Sequence, residues 1–428
     1  MLKSKYLVQG LRALLVTGLV ATLHIGSAGA QSPVKLTFWN GFTGPDRPGV
    51  EALVKQFNDA HPNIQVEMSI SPWDSLMQNL LTQLSTGQGP DIMGIDPLNL
   101  PKYAQSGYVS DITDVFAAGT EMDPKNFPPA YVDLLKYNGK FYGAPMTFAT
   151  LMMYYNKDLF TAAGLDPNKP PTDWDTWITD IKKLTDSTKG QYGIAIPEHD
   201  TVPNWPLFIW GNGGDILRDG KSALTDPKTV QALQTWGDLV TKNMVSPYGL
   251  SGADSDKLFQ TGKAAMEITG PWQVQGYIDA KLNFDVTPPP AGPAGSVTAA
   301  TADVLMINSA SQHQAEAKQF IAFWDSKASQ AFYSNTVHFP PARIDIQDML
   351  NNPWSGKFAA AAPTSRFYLG GLVLGPQIDA SIFVPMVQSI TQGQSSAPDA
   401  AKNADQQLTQ LLATAPQQAA TAAATAAK

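Results

Sequence analysis

Apolar residues in the first part of the chain recur with two different periods. Segments 34–39 (VKLTFW) and 63–70 (NIQVEMSI) have the composition of β-strands, and apolar and polar residues alternate in the second one. Segment 48–60 (PGVEALVKQFNDA) instead places apolar residues three and four positions apart, which predicts a helix with one buried face. A second helix that ends at Gly87 and a strand at 91–95 continue the alternation. The order β-α-β-α-β predicts a mainly parallel sheet with helices on both faces.

The same alternation begins again after Pro145. Just before it, the dipeptide Asn138-Gly139 predicts the turn of a β-hairpin. Thr172, with Asp175 three residues later, resembles a capping box at the start of a helix. Further strands and helices are predicted at 151–156, 172–184, 192–196, 226–243, 263–268 and 304–308. The pattern therefore predicts an α/β protein whose second half repeats the architecture of the first.

Polar and aromatic residues follow the first three strands at the point where each strand ends. In open α/β sheets, ligands bind beyond the carboxyl ends of the strands. One such aspartate is compatible with a helix cap, and one such tryptophan with a core position, but three ends together indicate a binding site. The candidates at these three ends are Asn40, Phe42, Thr43, Asp46, Trp73 and Asp96.

The segment ITGPWQ at 268–273 raises a separate question. Gly270 and Pro271 interrupt the strand that precedes them, so Trp272 falls on the turn just beyond the strand end. At this position the indole is either a plug for the core or a surface that binds something. Trp177 differs from it, because Trp177 shares a helical face with other apolar residues and is predicted to be core.

The first thirty residues have the features of a secretory signal peptide. Three cations among the first twelve residues precede a short apolar stretch at 13–25, and the sequence AGA at 28–30 is a pattern that signal peptidase cleaves. A membrane anchor is the alternative interpretation. Cleavage before Gln31 leaves about 398 residues, more than one core usually supports, so two lobes are predicted.

The chain contains no cysteine, which excludes disulfides and a lipid anchor on a cysteine. The exported protein is therefore predicted to be periplasmic and not a lipoprotein. Its 37 acidic residues outnumber 29 basic ones, and loss of the signal peptide would lower the formal net charge of −8 by three further units. Such a charge argues against nucleic acid and anionic membranes as partners. The alanine-rich residues 413–428 are predicted to form a low-complexity tail.

A search for catalytic motifs yields no convincing site. The sequence GKS at 220–222 resembles the end of a phosphate-binding loop, but Asp215 stands where such a loop requires a glycine. No cysteine or histidine spacing suits a metal, and no cofactor is expected. Glu198 and Asp200 are the nearest candidates for the carboxylate pair of a glycosidase, although their neighbours favour a solvated loop. The chain is predicted to bind a ligand rather than to transform one.

Several motifs, in this order, resemble the family 1 extracellular solute-binding proteins of ABC importers, the maltose-binding-protein-like group. They are LTFWNGFTG, ALVKQFNDAHPNIQVE, GQGPDIM followed by YAQSGYVSDIT, YGAPMTFATLMMYYNKDLFTAAGL, WGNGGDIL, FQTGKAAMEITGPW and FPPARIDI. Single motifs are weakly specific, but together they cover nearly the whole mature chain. Met152 departs from the family pattern, which usually has a small residue at this position.

The resemblance implies a two-lobed fold of the periplasmic-binding-protein type with a ligand in the cleft between the lobes. Lobe one would contain 31–143 plus 300–344, and lobe two would contain 144–299 plus 345–412. The resemblance also implies a monomer that delivers its ligand to ABC permease subunits in the membrane. Trp272 matches an aromatic platform of the family, and Arg343 matches a family arginine. Further candidate contacts are Trp205, Asn212, Asp215, Tyr368, Gly370 and Gly371.

The expected ligand is a neutral di- or oligosaccharide. An indole offers a wide, rigid surface for the apolar face of a sugar, and Asp, Asn and Arg side chains bind hydroxyl groups. A glycerol-3-phosphate or glycerophosphodiester binder of the same fold is the main alternative. It would require more positive charge than Arg47 and Arg343 supply beside three candidate aspartates. A secreted glycosidase is the second alternative.

Overall fold

The computed structural model describes residues 32–414. The expected signal peptide and most of the expected tail lie outside this range. The strands are β1 (Val34–Asn40), β2 (Ile64–Ile70), β3 (Ile92–Ile95), β4 (Lys136–Tyr137), β5 (Lys140–Phe141), β6 (Ala144–Thr150), β7 (Met152–Asn156), β8 (Pro197–His199), β9 (Leu217–Arg218), β10 (Lys221–Ser222), β11 (Leu250–Ser251), β12 (Met266–Thr269), β13 (Phe284–Thr287), β14 (Thr298–Ile307) and β15 (Ser365–Phe367).

Helices cover most of the surface of the sheets. They are α1 (Arg47–Ala60), α2 (Trp73–Ser85), α3 (Leu100–Gln105), α4 (Pro129–Leu134), α5 (Lys157–Ala162), α6 (Trp174–Leu184), α7 (Trp205–Gly211), α8 (Pro227–Thr241), α9 (Gly252–Gln260), α10 (Val274–Asp279), α11 (Gln314–Trp324), α12 (Lys327–Val337), α13 (Pro353–Ala360), α14 (Gly375–Ile378), α15 (Val384–Thr391) and α16 (Ala397–Thr414). None of these helices has the length and apolar character needed to cross a membrane.

The first sheet has the order β15-β14-β3-β1-β2, and β6 pairs with the other edge of β14. The strands β2, β1 and β3 are parallel, as their alternation with helices predicts. The long strand β14 runs antiparallel to β3 and β6 and parallel to β15. Because its beginning pairs with β15 and its end pairs with β3, β14 crosses from one half of the molecule to the other.

The second sheet, β12-β7-β13, differs from the mainly parallel arrangement that the sequence predicts. Both of its strand pairs are antiparallel. The strand β7 follows β6 after the single residue Leu151, so the chain passes directly from the first sheet into the second. Parallel bridges from Tyr192 to Ala264 and from Ala195 to Glu267 extend the sheet, where the sequence predicts a regular strand.

Buried apolar side chains form two large cores, which confirms the two-lobed α/β fold. The first core draws on residues between 36 and 149 and between 300 and 342. The second draws on residues between 151 and 299 and between 369 and 408. Trp177 is 2% exposed in the second core, as its helical position predicts. The exact lobe boundaries remain a prediction. That prediction assigns β6 to lobe two, whereas in the structure β6 pairs with β14 of the first sheet.

Two local predictions concern turns and caps. The hairpin is confirmed, because β4 and β5 pair across Asn138 and Gly139, whose φ angles are 48° and 77°. The start of α6 differs by one residue from the expected capping box. Asp173, rather than Thr172, is the N-cap, and its carboxylate accepts a hydrogen bond from the backbone N–H of Thr176 at 2.9 Å.

Candidate functional site

The end of β1 carries an aromatic and amide cluster. Asn40 is fully buried, and its Oδ1 accepts a hydrogen bond from the backbone N–H of Phe42 at 3.2 Å. Its Nδ2 has no hydrogen-bond partner among residues 32–414. The ring of Phe42 meets Trp73 edge-on, with centroids 5.6 Å apart. Trp73 lies against Gly41, where a Cβ would be 2.1 Å from the indole, so only glycine permits this contact. The structure thus brings together three of the predicted site residues.

Two predicted carboxyl groups lie at the same edge. Asp46 is buried at the start of α1, and burial raises the pKa of its carboxyl to about 7, with a further increase from the charge of Asp256. Asp96 is half-buried beyond β3, and its Oδ1 accepts a hydrogen bond from the N–H of Leu98 at 2.6 Å. Burial raises the pKa of Asp96 to about 6, and the charge of Asp379 adds to the increase. Thr43, another predicted site residue, lies between Asn40 and Asp46 in the sequence and is exposed.

A third carboxyl group, Asp303, was not predicted. The pairing of Val304 with Ile95 places Asp303 opposite Asp96, one residue beyond the paired stretch. Thr147 Oγ1 donates a hydrogen bond to Asp303 Oδ2 at 2.8 Å. Burial raises the pKa of this carboxyl to about 7, and the charge of Asp96 contributes. A lone acidic residue within the apolar strand TAATADVLMI was the sequence signal that could have identified it.

The structure shows whether Trp272 lies inside a core or on a surface that could bind a ligand. It is half-buried on a short helical turn after β12 and packs against side chains of both large cores. Its indole lies across Gly270, where a Cβ would be 2.0 Å from the ring. The ring of Phe339, from the other core, has its centroid 6.3 Å away. The position between the cores suits a binding platform better than an internal plug.

Behind Trp272, the carboxyl groups of Asp256 and Glu267 share one buried environment. Gln273 Nε2 donates a hydrogen bond to Asp256 Oδ2 at 2.5 Å, and the hydroxyl of Tyr277 donates to Glu267 Oε2 at 2.6 Å. Burial raises the pKa of Asp256 to about 6. Burial also raises the pKa of Glu267 well above its usual value, and the charge of Asp256 adds to that increase. Neither residue was predicted, because nothing local in the sequence distinguishes them.

The late segment of the chain contributes Tyr368 and Asp379. The half-buried Tyr368 hydroxyl donates a hydrogen bond to Asp379 Oδ1 at 2.7 Å, and burial raises the pKa of that carboxyl. The predicted Trp205 lies behind them, 3% exposed and edge-on to Tyr368 at 5.8 Å. Gly370 and Gly371 follow Tyr368, and Gly371 has a φ of 79° that favours glycine. Trp205 therefore supports Tyr368 from inside the core.

Three other predicted residues make internal contacts. Arg343 is 1% exposed, and its guanidinium donates to the carboxylate of Asp345 and to two backbone carbonyls. Asn212 Nδ2 donates to the carbonyl of Lys228 at 2.7 Å. Asp215 accepts a hydrogen bond from its neighbouring backbone N–H and lies 3.8 Å from Arg366. These contacts have a structural role, and the roles of these residues as ligand contacts stay predictions.

The residues at the ends of β1 and β3 form one group, and those around Trp272 and Tyr368 form a second group. The segments that carry the two groups contact each other. Pro45 approaches Gly276 so closely that a Cβ on Gly276 would be 2.8 Å from the proline ring. A ring nitrogen of His338 and Oε1 of Gln275 are 3.0 Å apart. A Cβ on Gly375 would likewise be 2.5 Å from a side-chain carbon of Leu98. Five carboxyl groups on or next to the segments that make these contacts have a pKa raised by burial, and we call them the acid cluster: Asp46, Asp96, Asp256, Asp303 and Asp379.

The candidate glycosidase pair has other partners. Glu198 lies in β8, and its Oε1 accepts a hydrogen bond from the N–H of Gly249 at 2.9 Å. Asp200 contacts His199, with 3.0 Å between Oδ2 and Nδ1. Across residues 32–414, no group of three or more histidine, aspartate or glutamate side chains has an arrangement that would hold a metal ion. The site offers aromatic faces and hydrogen-bonding groups, which suit binding.

Comparison with known proteins agrees with this geometry. A putative binding protein of Brucella abortus is 28% identical over 405 residues, which cover 92% of this chain and 96% of that protein. The arabinooligosaccharide-binding protein of Bacillus subtilis is 26% identical, and the match covers 77% of each chain.

Among solved structures, a solute-binding protein of an ABC transporter from Thermotoga lettingae, bound with α-D-tagatose, has a TM-score of 0.81 at 24% identity and covers 89% of this chain and 100% of its own. The maltose-bound MalE3 of T. maritima has a TM-score of 0.78 at 25% identity and covers 88% and 100%.

The model of one family, the bacterial extracellular solute-binding proteins, matches residues 43–331. The family and its structural neighbours are binding proteins of transporters rather than enzymes, and this chain is likewise a binding protein. The resemblance seen in the sequence motifs is therefore confirmed over most of the chain. We conclude that the chain belongs to the bacterial extracellular solute-binding protein family.

Proposed function

We propose that the protein is the periplasmic substrate-binding component of an ABC importer for a neutral di- or oligosaccharide. The ligand binds between the two groups of residues described above and is delivered to permease subunits in the membrane. The observation that carries this proposal is the placement of Trp272, which is half-buried and packs against side chains of both cores. A pyranose presents the same combination of an apolar face and a polar edge.

The polar groups support a neutral ligand. The unpartnered Nδ2 of Asn40 can donate a hydrogen bond to a sugar oxygen, and the carboxyl groups of Asp46 and Asp96 can accept from hydroxyl groups. A buried donor that lacks a partner costs free energy, so a ligand that satisfies it gains both affinity and specificity. Thr43, Phe42 and the other predicted site residues are proposed to shape the surrounding rim.

Relatives with known ligands agree with a carbohydrate. The protein from B. subtilis is described as binding arabinooligosaccharides, and the two structural neighbours hold tagatose and maltose. These three ligands differ in size, so they support a carbohydrate in general. The choice of a di- or oligosaccharide is part of the proposal. The alternative of glycerol-3-phosphate or a glycerophosphodiester has less support. Arg47 pairs with Glu51 at 2.7 Å, Arg343 makes internal contacts, and the acid cluster would repel a phosphate.

A screen of ligands tests the proposal directly. The mature protein is heated in the presence of mono-, di- and trisaccharides or of glycerol-3-phosphate, and the unfolding temperature is measured. A ligand present at 100 times its dissociation constant stabilises the folded state by about 2.7 kcal/mol, which raises the unfolding temperature. We expect an increase with at least one saccharide and none with glycerol-3-phosphate. The reverse result would favour the phosphate-binding alternative.

The periplasmic location and the monomeric state are further parts of the proposal. The signal-peptide features of the first thirty residues support cleavage before Gln31. Osmotic shock should then release the protein as a monomer, and its N-terminal sequence should begin with QSPVKL. Recovery of the chain with Met1 in the membrane fraction would instead indicate an uncleaved anchor.

A further inference from the structure

The acid cluster joins carboxyl groups from opposite sides of the proposed cleft. Asp46 follows Pro45, which contacts Gly276 of α10, and Gln273 at the start of that helix donates a hydrogen bond to Asp256 of α9. Asp96 precedes Leu98, which contacts Gly375, and Asp379 follows that glycine by four residues. Asp303 of β14 lies opposite Asp96, and the charges of Asp96 and Asp46 add to the increase in its pKa. None of these five groups forms an ion pair with a lysine, arginine or histidine of residues 32–414.

A buried and unpartnered hydroxyl points to a ligand at the same place. Tyr333 is 1% exposed, and its hydroxyl has no hydrogen-bond partner in the described part of the chain. Burial raises the pKa of this phenol well above its usual value, and the charges of Asp46 and Asp303 add to the increase. The fully buried Nδ2 of Asn40, at the end of β1, is likewise unpartnered. The site thus combines buried carboxyl groups with two buried polar atoms that could each form a hydrogen bond with a ligand.

We propose that closure of the two lobes around the ligand takes up protons at the pairs Asp46–Asp256 and Asp96–Asp379, so that ligand binding weakens as the pH rises. This inference rests on the proposed function, because it assigns a regulatory property to the same cleft. The contacts of Pro45 with Gly276 and of Leu98 with Gly375 show that the two sides approach each other in this conformation. Separation of the lobes would expose the paired carboxyl groups to water.

The direction of the effect follows from electrostatics. Burial and like charges favour the protonated form, and in this conformation they raise the pKa to about 7 for Asp46 and about 6 for Asp96 and Asp256. Separation of the lobes would remove the contribution of the facing side, so the pKa of each carboxyl group would move toward the value near 4 of an aspartate in water. A group whose pKa is raised in the closed state favours closure below that pKa and loses the effect as the pH rises through it. The sensitive range is therefore between about pH 4 and pH 7.

The other titratable groups around the cluster do not reverse this direction. Asp46 faces Asp303 and Tyr333 in addition to its partner on α9. The neighbouring Arg47 is exposed, and its guanidinium pairs with Glu51.

Around the other members, Asp256 also faces Glu267, and Asp379 also faces Tyr368. The phenols Tyr154 and Tyr277 lie near Asp256 and have a pKa raised well above 10 by burial. These phenols stay neutral in the sensitive range, and the carboxylates add negative charge. His338, whose ring contacts Gln275 between the two sides, responds in the opposite direction, because burial lowers its pKa. The carboxyl groups of Asp46, Asp96, Asp256 and Asp379 outnumber this histidine, so net proton uptake is the expected response.

Calorimetric titration tests the inference with the saccharide that stabilises the protein most. The dissociation constant is measured at pH 5.5 and pH 8, in buffers that differ in ionisation enthalpy so that the number of protons taken up is obtained. Each proton taken up changes the affinity by up to about tenfold per pH unit. We expect at least about tenfold weaker binding at pH 8 and a net uptake of protons at pH 6.

Two variants locate the protons. Asp256→Asn and Asp379→Asn each remove one charge of a pair and keep an oxygen that can accept the hydrogen bond from Gln273 or Tyr368. Both should reduce proton uptake and flatten the dependence of affinity on pH, even if the affinity itself changes. The control Asp175→Asn alters an exposed carboxyl in the first turn of α6 and should behave as the original protein.

The outcomes separate this inference from the proposed function. Sugar binding with equal affinity at both pH values, or without proton uptake, would overturn the inference and leave the proposed function intact. Tighter binding at pH 8 would also overturn it. A protein that binds no saccharide at any pH would overturn both.

Discussion

At the scale of the residue, Trp272 decides between a binding platform and a core position. We expect Trp272→Ala to weaken sugar binding by about 2 kcal/mol, or roughly thirtyfold, because stacking and apolar contact are lost. Trp177→Ala is the matched comparison, since this fully buried indole should cost about 3–5 kcal/mol of stability. Calorimetric titration and denaturant unfolding measure the two effects. If Trp272→Ala binds normally but unfolds as easily as Trp177→Ala, the platform interpretation fails.

The glycine beneath that indole provides an independent test at the same scale. A Cβ at Gly270 would be 2.0 Å from the ring of Trp272, so Gly270→Ala must displace the indole. We expect the affinity for the sugar to fall severalfold or more, by an amount that does not exceed the effect of Trp272→Ala. Gly356→Ala, on an exposed helical position with no atom within 4 Å of the added carbon, should leave the affinity unchanged. Equal affinities for the two variants would show that the orientation of Trp272 is unimportant.

At the scale of the element, the junction of β7 and α5 depends on a helix cap. Asn156 is 5% exposed, and its Oδ1 accepts hydrogen bonds from the N–H groups of Asp158 and Leu159 at 3.0 and 3.1 Å. Asn156→Ala should lower the free energy of unfolding by about 1 kcal/mol. Asn156→Ser should lower it much less, because serine also caps helices. Urea unfolding without ligand measures both values. Equal losses for alanine and serine would show that packing, rather than capping, accounts for the effect.

At the scale of the whole molecule, ligand binding is expected to stabilise the closed arrangement. Small-angle scattering should show a smaller radius of gyration with a bound sugar than without it. Gly276→Leu places a large side chain where a Cβ alone is 2.8 Å from Pro45, so it should hold the lobes apart and weaken binding. Gly356→Leu makes the same change at an open position and should close normally. A radius that is unchanged by saturating sugar in the original protein would contradict closure.

The local pattern of the sequence was sufficient for much of the architecture. The helix α1, the hairpin at Asn138 and the buried position of Trp177 all follow from periodicity or turn chemistry within a few residues. The family was also evident from the order of the motifs, because each motif is a contiguous stretch. Asn40 and Trp73 could also be selected from local pattern, because each lies at or just after the end of a predicted strand.

Tertiary structure decided which charged groups meet. Asp46 and Asp256 are 210 positions apart, and Asp96 and Asp379 are 283 positions apart, so no local pattern relates them. The antiparallel pairing of β7 likewise joins distant residues, such as Met153 and Ile268, which are 115 positions apart. Arg343 shows the same limit, because its motif indicates a family position, whereas its partners come from distant turns. Periodicity determines which face of an element is buried, but the fold alone determines what that face contacts and therefore the pKa of each buried carboxyl group.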